Sequence, residues 1–381
     1  MRVDDISESP ILSLIDRIFE QRRHGATILG LHIGEPDFDT PAGIRAAAAR
    51  AMDEGLTHYG PAQGMLDLRE AIAERLHRLH AIPVTAGDVV VMPGKLAIYA
   101  SLLSATDPGD EVLLPDPTYL FEQPVQLAGA RPVYFPLRED FSFDPKALEE
   151  AITPRSRVLI LTSPSNPTGR LLSRDEVRAA LSISRDHDLT VLSDETYESL
   201  VYEGPHVAPA SLPEGAGRVV TIGSFSKMFA MTGWRAGYAV APPTLRGRLV
   251  KVVEHALTCI PPFIQRACLW GLQNSEPDVI RFREEFRHRR DELFDLLHSI
   301  PGLQLVRPAG AFYMFPRYDL PMSSVDFCNQ VLDEEQLALV PGVSFGPHGE
   351  GHFRISFTAP MASLQEGARR LRHFLEHHHV R

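Results

Sequence analysis

The chain has 381 residues, 44% hydrophobic and 23% charged, proportions of an ordinary folded protein that exclude a disordered, collagen-like or disulfide-scaffold chain. Lys and Arg number 38 against 49 Asp and Glu, a net charge of −11 that repels nucleic-acid phosphates and anionic lipid, so neither nucleic acid nor membrane is expected as a partner. Cys259, Cys268 and Cys328 are too scattered for a disulfide framework or a zinc site, which points to a reducing, cytoplasmic setting.

The opening MRVDDISESP has no basic start followed by an apolar run, and no stretch of about 18 apolar residues could cross a bilayer. From Ala42 to Gln273 short apolar runs alternate with helical patterns, the rhythm of an α/β fold whose mostly parallel sheet is covered by helices. A helix is predicted over Met65–Leu79, with Leu66, Ile72, Leu76 and Leu79 at helical spacing. Strands are predicted at Asp88–Met92, Glu111–Leu114, Arg157–Ser163, Leu189–Ser193, Arg218–Ile222 and Ala236–Ala241. Ser173, with Glu176 three residues later, reads as a capping box that opens a helix.

After Ser275-Glu276-Pro277 the texture changes to a long charged helix, Asp278–Ile300, and strand-like pieces at Gln304–Val306 and Ala311–Phe315. Residues 42–275 are therefore expected to form a large domain, with 1–41 and 276–381 joined in a smaller α+β domain. The charges of Arg281–Glu292 alternate in sign at helical pairing distances and read as a solvated face. His377-His378-His379 reads as a frayed tail, and no metal is expected.

Three familiar patterns fail. Gly215-Ala216-Gly217 precedes a predicted strand instead of following one, Gly94-Lys95 is followed by Leu96 where a phosphate loop needs Ser or Thr, and no Asp follows the Gly342-Val343-Ser344-Phe345-Gly346 match to a nucleophile elbow.

A different constellation succeeds. Thr221-Ile222-Gly223-Ser224-Phe225-Ser226-Lys227 closes a strand with a lysine among hydroxyl residues, and Thr232-Gly233-Trp234-Arg235 follows; this suits a Schiff base to a phosphorylated carbonyl cofactor. Around it stand, in order, Gly34-Glu35-Pro36-Asp37-Phe38, Tyr59-Gly60 with Gly64, Asp116-Pro117-Thr118-Tyr119, Asn166-Pro167-Thr168-Gly169, Ser193-Asp194-Glu195-Thr196-Tyr197 and Phe353-Arg354-Ile355-Ser356-Phe357. On these segments the chain resembles the class I and II aminotransferases, fold-type I enzymes that use pyridoxal 5′-phosphate (PLP).

The resemblance implies a role for each residue. Lys227 forms the Schiff base, Asp194 pairs with the pyridine nitrogen, Asn166 and Tyr197 hydrogen-bond the ring's 3′-oxygen, and Tyr119 stacks on the ring. Gly94 and Lys95, opening a helix, hold the phosphate with Ser224 and Arg235. Because Pro93 lacks an N–H and Leu96 replaces a polar residue, the weight shifts to Arg235, and the Lys95 side chain is expected in solvent. Tyr59 reaches the phosphate of a neighbouring subunit, which implies a homodimer with shared sites. Arg354, with Gly34 and Asn166 nearby, takes the substrate α-carboxylate. Taken alone, Asp194 could cap a helix, Asn166-Pro167 could be a turn, and Tyr119 and Tyr59 could be core residues.

The implied activity is transfer of an α-amino group from an amino acid to a 2-oxo acid. β- or γ-elimination, cyclisation and oxidation use nearly the same residues and stay open, whereas a non-catalytic PLP-binding sensor fits poorly with a chain lacking a basic DNA-binding segment. The substrate side chain is expected among Ser9-Pro10-Ile11-Leu12 and Ile98, Tyr99, Leu102 and Leu103, none of them basic, so neutral or aromatic donors are expected over aspartate. Arg17 and the Ile260-Pro261-Pro262 loop are the groups that could change this.

Overall fold

The computed structural model describes residues 10–379, the side chains of Pro10, Leu12 and His379 excepted. Its centre is a seven-stranded sheet in the order Val89–Val91, Gly237–Val240, Val219–Ser224, Thr190–Asp194, Ser156–Thr162, Glu111–Asp116 and Arg131–Pro136. Gly237–Val240 runs antiparallel to both neighbours, and the other pairs are parallel.

Helices cover both faces, so alternate residues of one strand enter different cores. Val112, Ile160, Leu192 and Val220 pack with Leu102 and Leu249 on one side. Leu159, Val191 and Val219 meet Val177 and Leu181 on the other, where Val89 and Val91 also meet Ile72, Leu76 and Ala267.

The six predicted strands are present. The seventh, Arg131–Pro136, has Pro132 and Pro136 within it and forms the sheet edge, a place where a missing N–H is tolerated and where proline masks the strand pattern. The predicted helix is Leu66–His80, but its buried face is Leu68, Ile72, Ala73 and Leu76, while Leu66 and Leu79 are exposed. The capping box is formed: Glu176 N donates to Ser173 Oγ at 3.2 Å, and Ser173 N donates to Glu176 Oε2 at 2.7 Å.

Beyond the sheet, helices Glu276–His298, Ser324–Glu335 and Met361–His379 surround a core that includes Phe282, Phe286, Phe327, Phe353 and Leu371. Tyr313–Met314, Phe353–Ser356 and Val340–Pro341 form a three-stranded sheet there, and Leu29–Gly30 pairs with Leu337–Ala338, bringing the early chain to the same place.

Two expectations are corrected in this part. Arg289 and Arg290 are buried, because the long helix turns them inward toward carboxylates and carbonyls, so Arg281–Glu292 is not wholly a solvated face. The last helix runs on through the histidines, with His378 Nε2 3.1 Å from Glu334 Oε2. The three cysteines are free and buried. Among the described residues no helix is long and apolar enough to cross a membrane, and no group of three or more His, Cys, Asp or Glu could hold a metal.

Candidate active site

Thr190–Asp194 and Val219–Ser224 are neighbouring parallel strands, and ligands of such sheets collect beyond the strands' carboxyl ends. Here those ends deliver Asp194 and Lys227 to one cavity of about 370 Å³. Ser224 ends its strand and caps the Phe225–Met228 helix, its Oγ accepting from Ser226 N at 3.2 Å, which turns the chain so that Lys227 enters the cavity.

Lys227 Nζ donates to Gly34 O at 2.5 Å. Burial lowers its pKa to about 8; Glu35 opposes the shift, and the Arg354 and Arg235 charges add to it. The amine is thus accessible in its neutral form near physiological pH. Asp194 is also enclosed, and its Oδ1 accepts from Thr196 N at 3.1 Å. Burial raises its pKa against that hydrogen bond, with Glu195 adding to the rise, as for a buried carboxylate that lacks a cationic partner.

Arg354 enters from the Phe353–Ser356 strand. Its Nη1 donates to Asn166 Oδ1 at 3.1 Å and its Nη2 to His32 O at 2.7 Å. The guanidinium lies 4.4 Å from the Tyr313 ring centre and 5.0 Å from that of Phe345. None of these contacts neutralises it, and its buried Nε has no hydrogen-bond partner among the described residues. A buried guanidinium in this state suits a carboxylate. Tyr197 and Tyr313 bring their hydroxyls within 3.0 Å of each other in the same wall.

Gly34, Gly94, Lys95, Tyr119, Asn166, Asp194, Tyr197, Ser224, Lys227, Arg235 and Arg354, all singled out from sequence, line this one cavity. Arg235 sits in the left-handed region with φ 55° and donates to Thr232 O at 2.7 Å. Tyr59 is not among them; it is 88% exposed. One expectation about the wall holds and one is corrected. Lys95, expected in solvent, is exposed, and it also borders the cavity, with its Nζ 5.5 Å from the Tyr119 ring centre. Of Ile98, Tyr99, Leu102 and Leu103 only Ile98 lines it, because about 100° of rotation per residue sends Leu102 into the sheet core and Leu103 to the surface. Ile11 lines the cavity; Ser9 and the side chains of Pro10 and Leu12 lie outside the described residues.

Tyr313, His32 and Thr162 were missed from sequence, since each sits in an ordinary strand-like or loop stretch that carries no motif. His32 is held neutral, its pKa lowered to about 4 by burial and by the Arg354 and Arg22 charges. A buried ionic cluster following Asp194 was missed as well. Glu195 accepts from Ser193 Oγ at 2.9 Å and lies 2.8 Å from His206 Nε2, and Glu198 pairs with Arg75 at 2.8 Å and His80 at 3.0 Å. Burial alone would raise the Glu198 pKa, but Arg75, His80 and His206 hold it at about 2.

Comparison with known proteins decides what family this arrangement belongs to. The family model "Aminotransferase class I and II" matches residues 26–371. The chain belongs to that family. It is 36% identical to an aspartate aminotransferase of Pyrococcus horikoshii, over 96% of this chain and 95% of that protein. Aromatic-amino-acid aminotransferase 2 of Thermococcus litoralis is 38% identical over 99% of both chains. Among solved structures, Pyrococcus protein-A1 superposes with a TM-score of 0.96 at 37% identity, covering 100% of this chain and 99% of that one. The enzyme is therefore an aminotransferase, transferring an amino group from an amino acid to a 2-oxo acid, in a family that uses PLP.

Proposed function

We propose that this aminotransferase binds PLP in the cavity between Asp194 and Lys227 and moves the α-amino group of amino acids with apolar or aromatic side chains to 2-oxo acids. The observation that carries the reading is the meeting of Lys227, Asp194 and Arg354 in one cavity.

The residues suit the cofactor. Asp194, a buried carboxylate whose described hydrogen bond comes from Thr196 N, suits a protonated ring nitrogen. Asn166 and Tyr197 suit the ring oxygen, and Tyr119 suits the ring face. The N-terminus of the Gly94–Ala105 helix, with Lys95, Ser224 and Arg235 in the same wall, suits a phosphate.

When bound, PLP supplies an electron sink that makes the donor's Cα proton removable. Arg354, already oriented by Asn166 and His32, holds the α-carboxylate and so fixes the Cα–H bond. Lys227 Nζ takes that proton and returns it. The smaller domain, which contributes Gly34 and Arg354 from its described residues 10–41 and 276–379, covers the larger unit 42–275 and excludes water. The exposed Tyr59 supports a homodimer in which this tyrosine serves the neighbouring site. The three free, buried cysteines support a reducing, cytoplasmic location.

For the donor side chain, Ile11, Ile15, Ile33, Ile98 and Leu120 make an apolar wall, while Arg17 is turned away to Asp333. An acidic donor is a second reading, favoured by Lys95 at the cavity wall. The test compares kcat/KM for alanine, leucine, methionine, phenylalanine, arginine and aspartate with 2-oxoglutarate as acceptor, in the wild type and in Lys95→Ala. Leucine, methionine or phenylalanine is expected to lead in both. Aspartate leading in the wild type and dropping in the variant selects the second reading. Elimination or oxidation products without amino transfer overturn both.

A further inference from the structure

The entrance loop Gly34–Thr40 is fastened at its two flanks. Toward the sheet, Gly34 O accepts from Lys227, Glu35 accepts from Thr232, and Thr40 Oγ1 donates to Ala230 O and accepts from Trp234 Nε1. On the opposite flank one side chain does most of the holding. Arg289, on the Glu276–His298 helix, is only 5% exposed. Its Nη1 donates to Asp37 Oδ1 at 2.8 Å and to Thr358 O at 2.6 Å, and its Nε donates to Glu285 Oε1 at 2.8 Å. The same guanidinium lies 5.2 Å from the ring centre of Phe38, which stacks on Phe282 at 4.4 Å with the planes 9° apart.

One nitrogen of Arg289 thus joins the carboxylate of the entrance loop to a carbonyl four residues past Arg354. Thr358 Oγ1 in turn donates to Ile33 O at 3.3 Å, and His32 O receives the Arg354 guanidinium. The loop and the carboxylate receptor are therefore built on one hydrogen-bonded frame, with Arg289 at its hub. The Lys227 contact cannot keep the loop in place through turnover, since that amine is the group that moves the substrate proton. The Asp37 contact is remote from the reacting atoms and persists.

We propose that Arg289 is a positioning residue for substrate-carboxylate binding. Through Asp37 and Phe38 it holds the loop so that the Gly34 backbone stands over a carboxylate bound to Arg354. The proposal rests on the reading of Arg354 as the carboxylate receptor. Losing the loop's anchor adds the cost of ordering that loop to each binding event, without changing Lys227, Asp194 or the phosphate-binding wall.

The test uses the PLP-loaded enzyme and its Asp37→Ala, Asp37→Asn and Arg289→Lys variants. The first two leave the buried guanidinium its Glu285 and Thr358 partners, so they keep the proposal testable if Arg289→Lys fails to fold. The probe is 3-phenylpropanoate, a carboxylate with no amino group to transfer, with its Kd read from the change in cofactor absorption. Asp37→Ala is expected to raise that Kd and the donor KM roughly tenfold, with kcat changed less than about threefold and PLP occupancy intact. Asp37→Asn, which keeps an acceptor oxygen, is expected to recover part of the loss. An unchanged Kd in Asp37→Ala, or a fall in kcat with KM unchanged, overturns the proposal. Failure of the wild type to bind the probe while it transaminates would overturn the carboxylate-receptor reading instead. Binding of the probe without any amino transfer would overturn the proposed reaction and leave the clasp standing.

Discussion

The Tyr313 hydroxyl occupies the space in which a side chain on Gly34 would begin, so the entrance loop and the Tyr313 ring approach each other as closely as a glycine allows. Tyr313 cannot easily retreat: it is 2% exposed and its hydroxyl is 3.0 Å from that of Tyr197. Gly34→Ala is expected to push the loop off the cavity and lower kcat/KM by roughly 10²-fold, the scale of a displacement of about 1 Å at a reacting site. Adding Tyr313→Phe removes the obstructing oxygen and is expected to restore part of the loss. Steady-state kinetics of both variants checks this, and wild-type kcat/KM in the single variant would contradict it.

The lowered pKa of Lys227 has a definite sign. Burial disfavours the charged ammonium, so in cofactor-free enzyme the neutral amine dominates above about pH 8 and not only above the ordinary lysine value near 10.5. With Lys227 in its proposed role, uptake of PLP requires that neutral amine. Its rate is expected to rise about tenfold per pH unit below 8 and to level off above it, as followed by stopped-flow absorbance. A rate still climbing through pH 10 would show that burial does not set the amine's state.

Tyr59, expected from sequence to bind the cofactor, is held outside the cavity by the folded chain. If it serves a neighbouring subunit, mixing Lys227→Ala chains with Tyr59→Ala chains at limiting PLP is expected to produce heterodimers with one complete site, and so to restore activity that neither parent shows. An active monomer by sedimentation would rule out the shared site.

Glu198 carries a stability prediction. It is a buried carboxylate paired with Arg75 and His80, and removing one partner of such a group leaves the other charge uncompensated, at a cost of about 3–5 kcal/mol. Glu198→Gln is expected to lower stability by that order in denaturant unfolding. Its folded-state pKa, about 2, lies below the ordinary 4.5, so the contribution is complete above the ordinary value and is lost as pH falls through 2. The gap between wild type and variant should therefore narrow across that acid window, and a gap constant with pH would assign the loss to packing.

Much of the site was legible because its chemistry is concentrated in short segments. Asp194, Tyr197, Ser224 and Lys227 stand at or just past the ends of two neighbouring strands, and strand rhythm with a terminal Lys or Asp can be read directly. The Arg131–Pro136 strand escaped because its prolines are tolerated only at the sheet edge, and edge position belongs to the assembled sheet. Arg289 and Arg290 looked like solvated charges because their neighbours alternate in sign; whether a helix face meets water or Asp37 and Glu203 depends on what packs there.

By itself, the sequence determined the elements and marked a candidate set of reactive groups, since hydrophobic period, capping residues and a lysine at a strand end are local properties. It determined the α/β sheet, and it marked Lys227, Asp194, Asn166, Tyr197, Arg235 and Arg354 as one set. The tertiary structure alone decided how far burial lowers the Lys227 pKa, that Tyr313 rather than empty space faces Gly34, that Arg354 is held by Asn166 and His32 with no neutralising carboxylate among the described residues, and that a buried arginine joins Asp37 of the entrance loop to the Thr358 carbonyl. Each of these depends on desolvation and on contacts between residues far apart in the chain, which local patterns do not encode.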